Sequence, residues 1–171
     1  FINFFLIYFF SIIIFFSLSL PGGALILLAS GFFFGFYIGF LVNIVAILIG
    51  SFLFVYFTKH ILKIFFTKFY FRFSDRLTTL ISFSSYEYLI IFRLIHGNPL
   101  FIQNLAYSFL DISKFKFLIS SFLGFCPIVI LLSYFGSKLY NIYEIKNIRF
   151  NEIVSKEFIF FTIIFILILI I

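Results

Sequence analysis

The apolar positions of this chain come in long unbroken runs, and its polar positions gather into short stretches between them. Residues 1–20 form the first run, close to the roughly 20 residues that cross a bilayer core. Pro21-Gly22-Gly23 ends it, since proline disfavours helix at the residue before it and the glycines add no propensity. Ala24 to Ser30 is apolar but only about two helical turns long. It either dips into the membrane and returns or continues into the next helix, which runs to about Phe57. Helix is expected again from Leu80 to Leu94, interrupted at His96-Gly97-Asn98-Pro99 and resumed over Leu100 to Leu110. Asp111-Ile112-Ser113-Lys114 brings the chain to the surface, with Asp111 and Ser113 as candidate helix caps. Phe115 to Lys138 is the next span, with a kink expected near Gly124 and Pro127. A polar loop over 139–152 and a last span over 153–171 complete the pattern.

The interruption at 90–104, IIFRLIHGNPLFIQN, organises the rest. Hydrocarbon cannot hydrogen-bond an opened backbone, so irregular chain at membrane depth survives only against protein or a wet cavity. Neither arm of this break reaches a full span, which predicts a hairpin that enters and leaves by one face. With the earlier break at Pro21, Gly22 and Gly23, two such dips of opposite orientation form an inverted repeat. From Gly31 the small or polar residues Gly31, Gly35, Gly39, Asn43, Ala46 and Gly50 recur at helical spacing. On one continuous helix they share a face, a seam that lets another helix approach closely.

Composition fixes the class. The chain has 171 residues, 64% hydrophobic and 11% charged, against roughly 25% charged in soluble domains. The fold class expected is therefore all-α: a polytopic membrane protein with two opposed re-entrant hairpins and flanking transmembrane helices, in one membrane domain over 1–171. Residues 1–20 are too long an apolar run for a signal core and lack a basic leader, so they are read as a span. The chain starts without Met and stops inside an apolar run, as a trimmed sequence does. Its net charge of +6 lies between apolar runs, which suits anionic lipid headgroups and not nucleic acid. Lys59, Lys63, Lys68, Arg72 and Arg76 stand against Asp75 alone, at spacings that fit an interfacial helix on the cytoplasmic side. The single Cys126 excludes an intrachain disulfide.

Two ordered sets of residues then resemble the VTT-domain superfamily, also called the DedA or SNARE-associated Golgi protein family. The first is Leu20-Pro21-Gly22-Gly23, Ala29-Ser30-Gly31, Phe34-Gly35, Gly39 and Gly50, closed by Lys59. The second is Phe92-Arg93-Leu94, Pro99, Asn104-Leu105-Ala106, Phe117, Gly124 and Pro127. The resemblance covers about 18–140, leaving 1–20 and 153–171 as flanking spans. It implies facing re-entrant hairpins and passage of phospholipid or polyprenyl-phosphate lipid across the membrane, in a bacterial-type member of the cytoplasmic membrane. Three positions depart from the family pattern. The carboxylate that the DedA branch often carries after its Pro-Gly is Gly23 here, so downhill passage is the expectation. His96 replaces a proline, and Ser108 a glycine.

No catalytic constellation is visible. His60 and His96 have no i,i+4 partner for a helical metal site, and no phosphate-binding loop or Gly-x-Ser-x-Gly appears. No enzyme activity, cofactor or metal is expected. An intramembrane cation costs on the order of 3 kcal/mol or more, which singles out Arg93. Its guanidinium offers paired donors to a lipid phosphate. His96, Asn98, Pro99, Gln103 and Asn104 are the candidate walls of a headgroup groove, where they would also satisfy the opened backbone. Glu87, six residues before Arg93, falls on another side of a straight helix. Two other readings stay open: a proton- or ion-coupled solute transporter, which needs a buried carboxylate, and a membrane scaffold whose glycine seam binds a partner. The partners expected are membrane lipids; self-association is left open.

Overall fold

The computed structural model describes residues 2–65, 86–95 and 99–144. Secondary structure among them is wholly helical: α1 (Ile2–Ser17), α2 (Gly23–Phe65), α3 (Tyr86–Leu94), α4 (Leu100–Phe109) and α5 (Lys114–Glu144). The interfacial helix expected around Lys68, Arg72 and Arg76, and the last span over 153–171, lie outside the described residues. Helix α5 carries Pro127 inside it and continues to Glu144, so the first part of the loop expected over 139–152 is helical. Nothing after Gly136 in that stretch is a helix breaker, which accounts for the longer run. Helices α2 and α5 are long and apolar enough to cross a bilayer. Large apolar side chains such as Ile7, Leu25, Tyr37 and Phe115 are each more than two-thirds exposed, surfaces that oil accommodates and water does not.

The described residues divide into two compact units, those within Phe1–Gly23 and Val45–Phe125 and those within Ala24–Ile44 and Cys126–Ile171. In the second of these, α2 does not run straight. Gly35 has φ 74 and ψ 176, a backbone region essentially restricted to glycine. Thirteen residues of straight helix would put Ser30 and Asn43 roughly 20 Å apart. Ser30 Oγ instead donates to Asn43 Oδ1 at 2.6 Å, and Asn43 Nδ2 donates to Leu27 O at 2.9 Å. A Cβ on Gly39 would lie 2.8 Å from Ser30 O and 2.9 Å from Gly31 Cα. The helix therefore folds back on itself at Gly35 as a helical hairpin.

This corrects the expectation of one glycine face. Gly35 is the bend, with open space around it, and Gly31 and Gly39 meet across the bend instead of stacking along one helix. Gly31 also lies directly against the Ser133 backbone of α5, and Gly136 against Leu28 O. Asn43 Nδ2 donates to Ser133 Oγ at 2.9 Å, so one buried amide ties both hairpin arms to α5. The Phe36 ring meets the Tyr134 ring edge-on at 5.8 Å. The last glycine of the expected seam, Gly50, lies in the other unit and packs on Phe16 of α1, where a Cβ would come within 2.5 Å of the Phe16 Cβ.

In that other unit α1 stops at Ser17, short of Leu20. Ser19 N–H donates to Phe16 O and Leu20 N–H to Phe15 O, a Schellman ending with Ser19 in the left-handed region at φ 49. Pro21 and Gly22 (φ 95) complete the turn into α2, which begins at Gly23. Helices α3 and α4 form a second hairpin. Gln103 Nε2 donates to Ile95 O, Arg93 to Asn104, and Tyr107 Oη to Leu89 O, so the bonds climb antiparallel arms. Leu89, Tyr107, Leu110 and Phe117 make its core. At its far end Lys59 Nζ of α2 donates to Leu110 O and Asp111 Oδ1 at 3.1 and 3.0 Å. Ser113 Oγ accepts from Lys116 N–H and caps α5.

Candidate functional site

Arg93 lies in the last turn of α3 and is 1% exposed, the largest fully buried side chain described. It reaches that depth because Gly124 of α5 leaves room: a Cβ on Gly124 would fall on the Arg93 side chain. Three rings surround the guanidinium, with centroids 4.1 Å away for Tyr107, 4.7 Å for Phe125 and 5.4 Å for Phe117. Aromatic faces stabilise a desolvated cation by about 2 kcal/mol in favourable cases, which offsets only part of the burial cost. Tyr107 is held in place by its bond to Leu89 O, and its ring meets Phe117 edge-on at 5.4 Å.

Of the guanidinium nitrogens, Nη1 donates to Asn104 Oδ1 at 2.7 Å. Asn104 is fully buried, and its Nδ2 donates to Ser19 Oγ at 2.8 Å and Ser51 Oγ at 3.4 Å. Its amide orientation is thereby fixed, oxygen toward Arg93 and nitrogen toward the two hydroxyls. Arg93 Nε and Nη2 find no acceptor among the described residues, and no described carboxylate pairs with Arg93. Ser121 Oγ, also buried, has no partner among them either.

The structure thus brings Arg93, Gln103 and Asn104 together, all buried, with Pro99 at the N-terminus of α4. Gln103 turns its amide to the last carbonyl of the α3 arm and satisfies opened backbone. His96 and Asn98 lie outside the described residues. Arg93 in this state is enclosed by rings, not open to a wet furrow. Ser19, Ser51, Tyr107 and Ser121 were missed by sequence reasoning. The available signal was faint: isolated hydroxyls inside apolar runs, each costly to bury unless bonded. No group of three or more metal-ligating side chains occurs among the described residues.

A family model described as the VTT domain matches residues 20–138. No curated protein and no solved structure matches the chain.

Proposed function

The chain belongs to the VTT-domain family and is a DedA-like membrane protein; from that premise we propose that it lets lipid headgroups cross the bilayer downhill. Helix lengths support the re-entrant reading. Helices α3 and α4 have 9 and 10 residues, so each arm covers about 15 Å, half of a core about 30 Å thick. The arm from Gly23 to the bend at Gly35 is also too short to cross. Each hairpin then enters and leaves by one face, and an inverted repeat of two such hairpins of opposite orientation is the arrangement proposed.

The observation that carries the reading is Arg93: a buried cation with no described carboxylate to neutralise it, in a hairpin too short to span. A buried charge left unpaired is strongly destabilising, so it calls for an anion from outside the protein. In a membrane the abundant anion is the lipid phosphate, for which a guanidinium is suited. The partners proposed are membrane lipids with anionic headgroups, in the bacterial cytoplasmic membrane. The passage involves no covalent step and no cofactor.

The test is reconstitution into vesicles carrying fluorescent phosphatidylglycerol in both leaflets, with dithionite added outside. With the protein present, quenching passes the outer-leaflet half; without it, quenching stops there. A water-soluble dye trapped inside stays bright, since a pore for small solutes would let dithionite reach it. Quenching that halts at the outer leaflet whether or not protein is present contradicts the proposal.

A further inference from the structure

The guanidinium of Arg93 is used asymmetrically. Its Nη1 is held by Asn104, while Nε and Nη2, the two donors that lie side by side along one edge, are buried and free among the described residues. That edge matches the spacing of two oxygens of one phosphate or carboxylate. A second buried donor without a partner among the described residues, Ser121 Oγ, lies on the α5 face that packs on Arg93. Phe117, Gly124 and Phe125 of α5 all touch Arg93, and Ser121 lies on that helix face, four residues after Phe117 and three before Gly124. Its hydroxyl is fully buried and unpartnered, whereas the neighbouring Ser120 hydroxyl donates to Phe117 O. Buried donors in native proteins are overwhelmingly bonded, so two on facing elements with no acceptor among the described residues point to a ligand.

We propose that the Nε/Nη2 edge of Arg93 and the hydroxyl of Ser121 form an oxyanion-binding site for a phosphate group, with Asn104 as its neutral positioning residue. The inference rests on the functional reading above and deepens it by naming the donors that hold the phosphate and the residue that positions them. A neutral anchor matters here. An aspartate at 104 would hold Nη1 equally well and cancel the charge that draws the phosphate. The amide, fixed by Ser19 and Ser51, orients the guanidinium without neutralising it. Since Arg93 is enclosed, a phosphate enters only when α3–α4 separates from the Phe117–Phe125 segment of α5. The site is closed in this structure.

The test uses the purified full chain in neutral detergent and reads its thermal unfolding midpoint. Inorganic phosphate is titrated against chloride at equal ionic strength, and dihexanoyl phosphatidic acid against dihexanoylglycerol, which has the same tails and no phosphate. Ligand binding to the folded state raises the midpoint in a concentration-dependent way. The expected result is a rise with phosphatidic acid and none with dihexanoylglycerol. A rise with inorganic phosphate as well assigns recognition to the phosphate alone; a rise with phosphatidic acid only assigns it to a lipid-borne phosphate. Ser121→Ala weakens the apparent affinity about tenfold, the effect of one hydrogen bond to a charged group. Asn104→Asp abolishes the rise while its own midpoint without ligand is not lowered. If Asn104→Asp does not fold, Ser121→Ala decides alone. Equal shifts from both lipid probes, or wild-type affinity in Ser121→Ala, overturn the proposal. Lipid passage without phosphate-selective binding overturns this inference and leaves the functional reading intact; binding without passage does the reverse.

Discussion

Single residues show how the backbone was fitted to its contacts. Ser19 occupies a left-handed position that glycine would hold at lower cost, by about 1 kcal/mol. Its hydroxyl accounts for the choice, because it accepts from Asn104 inside the Arg93 cluster. Ser19→Ala keeps the strain and loses the bond, whereas Ser19→Gly loses the bond and the strain together. Thermal unfolding in detergent therefore ranks Ser19→Ala below Ser19→Gly, by about 1 kcal/mol. Two glycines separate by mechanism in the same assay. Gly35→Ala meets no neighbour, so its loss of roughly 1–3 kcal/mol comes from the backbone region alone. Gly31→Ala drives a methyl into the Ser133 backbone, which has no side chain to swing away, and destabilises by about as much or more.

Among the elements, the fold-back of α2 at Gly35 is the feature most open to direct measurement. With Cys126→Ser as background, cysteines at 30 and 43 are expected to be joined by a short bifunctional thiol reagent, detected by mass spectrometry of the digested chain. A straight helix would hold those positions roughly 20 Å apart and give no such product. Each hairpin carries a buried asparagine on its second arm, Asn43 in one and Asn104 in the other. Asn43 donates to Leu27 O and Ser133 Oγ and accepts from Ser30. Hydrogen bonds between helices in a membrane average about 0.6 kcal/mol each, so Asn43→Ala is expected to cost about 1–3 kcal/mol once the freed buried groups are included. Unfolding of Asn43→Ala at the wild-type midpoint would remove the amide from the forces that hold that hairpin.

At the scale of the molecule, the sequence made the helix ends readable and the turns back much less so. The breaks at Pro21-Gly22 and around Pro99, and the Ser113 cap, stood out because glycine, proline and serine interrupt an otherwise apolar chain. The ordered pair of motifs led to the VTT-domain family, to which the chain belongs. The bend at Gly35 was hidden, since glycines at 31, 35 and 39 have the spacing of a packing seam and only the backbone reveals a positive φ. Arg93 was visible as a cation in oil. Its anchors were not, because the serines that fix Asn104 lie 85 and 53 residues away from it in sequence. Burial of a guanidinium with no carboxylate partner among the described residues is the claim on which the functional reading stands, and replacing it with a neutral amide tests that claim most directly. Losing an unpaired buried charge need not destabilise the fold, so Arg93→Gln is expected to unfold near the wild-type midpoint. In the vesicle assay the account predicts that Arg93→Gln returns quenching of phosphatidylglycerol to the outer-leaflet level, with the trapped dye still bright. Passage at the wild-type rate in Arg93→Gln would contradict it.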